Sequence, residues 1–101
     1  PVADDLARRR AVGLIHHPTS HETGLSAAER EALHATERDL FGRLGRLITV
    51  SPGTAKQLAG EFGCDPARMG IVSPGTDPAT RATGSGGEGC AILSVGTLIP
   101  R

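Results

Sequence analysis

LITVSPGTAKQLAGEFG, residues 47–63, holds a strand, a turn and a helix in one short stretch. Leu47, Ile48, Thr49 and Val50 form a short apolar run bounded by a turn signal, which reads as a buried strand. Ser51-Pro52 then supplies a helix N-cap and a proline at the first helical position, where a missing N–H does no harm. Ala55, Leu58 and Phe62 share one face of that helix, and Gly63 stops it. A strand that runs straight into an amphipathic helix is half of a βαβ unit, so the fold turns on whether the neighbouring sequence repeats the pattern.

It does so on both sides. Upstream, residues 11–16 (AVGLIH) read as a buried parallel strand, and residues 17–25 (HPTSHETGL) as a loop. Ser26 and Glu29 form a capping box for a helix that runs to about Leu44, with Leu33, Glu37, Leu40, Phe41 and Leu44 on one stripe. Glu37 is the polar member of that stripe. Residues 2–10 place acids first and arginines last, as suits the dipole of a helix end. Downstream, Asp65-Pro66 makes a turn and residues 69–73 (MGIVS) a third strand. Residues 74–89 (PGTDPATRATGSGGEG) are too polar and flexible to bury a core and read as a linker. Residues 91–95 (AILSV) then open a further apolar strand, which Gly96 ends. The alternation predicts an α/β fold of parallel strands with right-handed crossovers, buried on both faces. Three strands before a linker and one after it do not complete such a sheet. The expectation is therefore a slice of a larger protein, cut across a domain boundary and ending at Pro100-Arg101.

Composition excludes several classes. Eleven basic and eleven acidic residues leave no net charge, so no global field recruits nucleic acid or an anionic membrane. Cys64 and Cys90 lie far apart without metal-ligand spacing, which argues for reduced thiols and a cytoplasmic setting rather than a disulfide framework or a zinc site. The longest apolar run, residues 11–15, is far short of the ~20 residues of a membrane span.

Ligands of open α/β sheets bind at the carboxyl ends of the strands. His16, His17 and Glu22 stand there: either histidine could hydrogen-bond a hydroxyl or move a proton near neutral pH, and Glu22 could accept bonds from an acceptor. Metal binding by His17 and His21 is the weaker alternative, because Pro18 lies in their loop and no helix fixes their geometry. Ser51 sits where a hydrolase nucleophile sits, yet Thr49 replaces the first glycine of G-x-S-x-G and Pro52 removes an oxyanion-hole N–H. Its ordinary role is an N-cap. The glycines at 84, 86, 87 and 89 precede a strand instead of following one, so they read as linker rather than phosphate loop. Gly96 follows its strand and would let a phosphate approach the backbone, with Arg101 near enough to pair with it.

In order and spacing, VGLIHHP, LITVSPGTAKQL, IVSPGTD and AILSVGTLIPR resemble the middle of a GT-B glycosyltransferase of glycosyltransferase family 4, over residues 12–101. The resemblance implies Rossmann-like βα units from the end of an acceptor-side domain (residues 1–73), an interdomain linker (74–90) and the truncated start of a nucleotide-sugar domain (91–101). It implies sugar transfer with retention from a nucleotide-sugar to a sugar or lipid-linked acceptor. His16 or His17 would line the cleft, Gly96 and Arg101 would meet the donor diphosphate, and the scheme requires no metal or other cofactor. The whole enzyme would be cytoplasmic or peripheral at the inner membrane face, and this slice alone inactive. Thr97, where many relatives place an arginine, and Ser73-Pro74-Gly75-Thr76, without the common asparagine, depart from the pattern. The competing readings are a small non-catalytic α/β binding module and a piece of an α/β hydrolase using Ser51.

Overall fold

The structure is a computed structural model that describes residues 2–90 and 92–96. Helix α1 spans Val2–Arg8, strand β1 Val12–Ile15, helix α2 Ala27–Arg43, strand β2 Arg46–Thr49, helix α3 Pro52–Phe62 and strand β3 Met69–Ile71. Single 3₁₀ turns cover Thr19–His21, between β1 and α2, and Pro66–Arg68, before β3. The strands form one parallel sheet in the order β1-β2-β3, with Leu14 opposite Ile48 and Ile48 opposite Gly70. The expected mixed α/β fold with a parallel sheet is what is observed.

Local chemistry sets the helix boundaries. Ser26 accepts the Glu29 N–H while Glu29 reaches back to the Ser26 N–H, so the capping box is complete. Ser51 caps α3 by accepting the Thr54 N–H, and Pro52 follows it. Gly63 ends α3 at φ 68°, and the Cys64 N–H bonds Leu58 O, closing the left-handed cap that a β-carbon would strain.

Strand order explains where the helices go. Successive strands step in one direction across the sheet, and right-handed crossovers taken in one direction place both helices on the same face. That face carries Gly13, Ile15, Leu47, Thr49 and Met69. Against it Phe41 and Leu44 of α2 and its cap, Leu58 and Phe62 of α3, and Cys64 form one buried cluster, with Leu6 of α1 at its margin. Leu58 is fully buried. A Cβ on Gly13 would come within 2.7 Å of Leu44 Cδ1, so the Leu44 side chain would have to shift to admit one.

The opposite face is bare, which corrects the expectation of strands buried on both sides. Val12 is 54% exposed, Leu14 60% and Val72 61%, because no helix lies over that face among the described residues. The strand read at residues 91–95 is also absent from the part described. Residues 92–96 are irregular, with Ile92, Leu93 and Val95 exposed, and no ladder partner among the described residues satisfies their backbone. Residues 74–90 carry no helix or strand and are exposed throughout, as the linker composition leads one to expect.

Candidate functional site

Each strand delivers polar groups to the carboxyl end of the sheet: His16 after β1, Ser51 after β2, and residues 72–75 after β3. Strand alternation decides which of them face the bare side. His16 lies two residues beyond Leu14 and lines the same side, whereas His17 lies one residue further into the bend that follows β1. A cavity of about 410 Å³ opens on that side. Leu14, Ile48, Val50 and Val72 provide its apolar floor, and His16 and Ser73 supply polar side chains at the end where Pro74 and Gly75 also line it. The sheet thus brings His16 to the segment where the chain leaves for residues 76–90.

His17 and Glu22 are brought together as well, but with each other: His17 Nε2 meets Glu22 Oε1 in a short contact at the surface. His21 is held on the helix side. Gln57 Nε2 lies 2.9 Å from its Nδ1, and Glu61 Oε2 lies 2.9 Å from its Nε2. His17 and His21 therefore serve different carboxylates. Among the described residues no group of three or more His, Cys, Asp or Glu side chains is placed to hold a metal ion.

The loop that carries these histidines is built on Glu37. Its carboxylate accepts the Thr19 N–H at 2.5 Å, the Ser20 N–H at 3.1 Å and the Ser20 hydroxyl at 2.7 Å. Arg30 adds a bond from Nη1 to Ser20 O at 2.9 Å. Pro18 and Ser20 are fully buried beneath this network. Partial burial pushes the Glu37 carboxyl up, but the bonds from Ser20 and Thr19 outweigh it and hold the group below the usual carboxylate range. The lone acid on the apolar stripe of α2 was visible in the sequence, and its partner was not.

Ser51 makes its side-chain bonds to the Thr54 N–H and, at 3.0 Å, the Thr54 hydroxyl, and neither partner is an imidazole or a carboxylate. That is the geometry of an N-cap. Cys64 is buried in the core, where desolvation pushes its thiol up against the pull of Arg68, and Cys90 is an exposed free thiol. Gly96 is exposed, and a Cβ on it would meet nothing within 4 Å. Arg101 and Thr97 lie outside the described residues. Among the described residues no helix is long and apolar enough to cross a membrane. No known protein family, curated protein or solved structure matches the chain.

Proposed function

We propose that the chain is the acceptor-side portion and hinge of a retaining glycosyltransferase with two Rossmann-like domains, and that His16 is its acceptor-side histidine. The observation that carries this reading is the cavity at the carboxyl end of the sheet, with His16 at the end of one strand and residues 73–75 leaving the end of another. Parallel α/β sheets bind ligands at that end, and the ordered motifs of the sequence lead to the same enzyme class. His17 is committed to Glu22, which leaves His16 as the imidazole able to meet a hydroxyl from the bare side. In this role Glu22 orients the loop through His17.

In the proposed reaction the bond between the donor sugar's anomeric carbon and the diphosphate breaks. A bond from the acceptor oxygen to the same carbon forms on the same face, and the acceptor proton passes to the departing phosphate. His16 positions the hydroxyl. Gly96 and Arg101 belong in this scheme to the diphosphate side, supplied with the second domain. Further βα units cover the apolar face around Leu14 and Val72, and the intact enzyme acts in the cytoplasm or at the membrane surface.

The test is sugar transfer by the full-length gene product from a panel of nucleotide-sugars. His16→Ala is expected to lower transfer at least tenfold with donor affinity kept, and His17→Ala to lower it less. Equal rates for His16→Ala and the parent would remove the assignment. A fully folded gene product that neither binds nor turns over any nucleotide-sugar would leave the non-catalytic binding module as the better reading.

A further inference from the structure

A second cavity lies on the helix side, away from the bare face. It has a volume of about 550 Å³ and is lined by Ser20, His21, Ala27, Arg30, Glu31 and His34. Arg30 and His34 stand four residues apart on α2, hence on one face of the helix and next to each other.

Both side chains are held before any ligand arrives. Arg30 Nη1 is tied to the carbonyl of Ser20, itself fully buried and bonded to Glu37, so the guanidinium is anchored to a satisfied polar network. Its bond to Ser20 uses one of five donors, and no carboxylate pairs with Arg30 among the described residues. His34 stacks on Phe62 with ring centroids 4.4 Å apart and an interplanar angle of 28°. Stacking orients the imidazole without using either nitrogen, and neither nitrogen has a hydrogen-bond partner among the described residues. His21 cannot serve in the same way, because Gln57 and Glu61 take both of its nitrogens.

Two oriented donor groups with spare N–H capacity thus line one cavity. Ala27, one turn before Arg30, keeps that surface open. Glu31 adds a carboxylate to the lining, which disfavours a bare anion there and suits a ligand that also offers hydroxyl donors. We propose that this cavity is a binding site for a phosphate monoester with a hydroxylated body, in which Arg30 and His34 hold the phosphate and Glu31 accepts from a hydroxyl. The site is independent of the cavity around His16 and of the glycosyl-transfer reading. Bidentate donation from Arg to phosphate supplies most of the affinity, since charge-assisted pairs of this geometry are the strong ones.

The test follows the His34 ring signals of the whole chain by NMR during titration with inorganic phosphate and, separately, with glycerol 1-phosphate. Saturable shifts with both are expected, with glycerol 1-phosphate binding at least threefold tighter. Arg30→Met should weaken both at least tenfold, and Arg30→Lys, which keeps the charge without the fork, should fall between. Glu31→Gln should remove the preference for glycerol 1-phosphate while phosphate binds as well or better. Because Arg30 also braces Ser20, His34→Phe provides a variant that keeps the stack on Phe62 and loses only the donor; binding followed through backbone amides of α2 should again weaken severalfold. Absence of saturable shifts in the parent protein, or unchanged affinity in both Arg30→Met and His34→Phe, would overturn the site.

Discussion

At the scale of single residues, Glu37 joins sequence and structure most closely. Its position on the apolar stripe of α2 is plain from helical periodicity, and a carboxylate on such a stripe needs hydrogen-bond donors. What the periodicity could not supply is the donor set, because Thr19 and Ser20 are distant in sequence and meet Glu37 only after the loop folds back. Replacement by glutamine keeps the shape and loses the charge, so Glu37→Gln should cost about 2 kcal/mol, the range for bonds to a charged group. The pH dependence has a definite sign. The folded-state pKa of Glu37 lies below its unfolded value, so its stabilisation is complete above the unfolded carboxylate range, about 4.3, and is lost as the pH falls through the lower folded value. Urea midpoints measured between pH 6 and pH 3 should therefore fall more steeply for the parent than for Glu37→Gln. Parallel curves would separate the loop clamp from ionisation. The same limit applies to His16 and His17: both were legible as strand-end histidines, but their division between the cavity and Glu22 required the strand's phase and the loop's path.

At the scale of elements, capping chemistry made most boundaries readable. The Ser26 box, the Ser51-Pro52 start and the Gly63 stop all depend on neighbours within a few residues, and all three occur as expected. Gly63 sits at φ 68°, a region in which a side chain is strained. Gly63→Ala should destabilise the chain by about 1 kcal/mol, read as a lower urea midpoint with an unchanged slope; a neutral result would mean that α3 can end without the left-handed cap. Strands were less legible. The run at residues 91–95 has the composition of a strand, and residues 92–96 nevertheless form none. Composition gives a segment the capacity to pair, whereas a strand exists only when another strand's N–H and C=O groups lie beside it.

At the scale of the whole molecule, the dominant feature is the unequal treatment of the two sheet faces. One carries the cluster of Phe41, Leu44, Leu47, Leu58, Phe62 and Cys64, and the other leaves Val12, Leu14 and Val72 in water. An exposed apolar surface of this kind binds hydrophobic dyes and promotes self-association. In the 101-residue chain, Leu14→Thr combined with Val72→Thr should reduce dye fluorescence and concentration-dependent association, while shifting stability by no more than about 0.5 kcal/mol, as is usual for exposed sites. A large loss of stability would show that this face is covered in solution.

The sequence by itself determined the alternation of helices and strands, the parallel sheet, the helix ends, and the polar segment at residues 74–90, because each follows from local periodicity, capping or composition. It also located the polar residues that follow β1. Tertiary structure alone decided that α2 and α3 pack on one face, that His16 joins residues 73–75 while His17 pairs with Glu22, and that Arg30 and His34 line a separate cavity. The physical reason is one of distance. Backbone hydrogen bonds and caps join residues a few positions apart, so their rules can be read along the chain. Burial of a face and the convergence of side chains depend on which segments cross in space, and that is fixed only when the strands choose their neighbours.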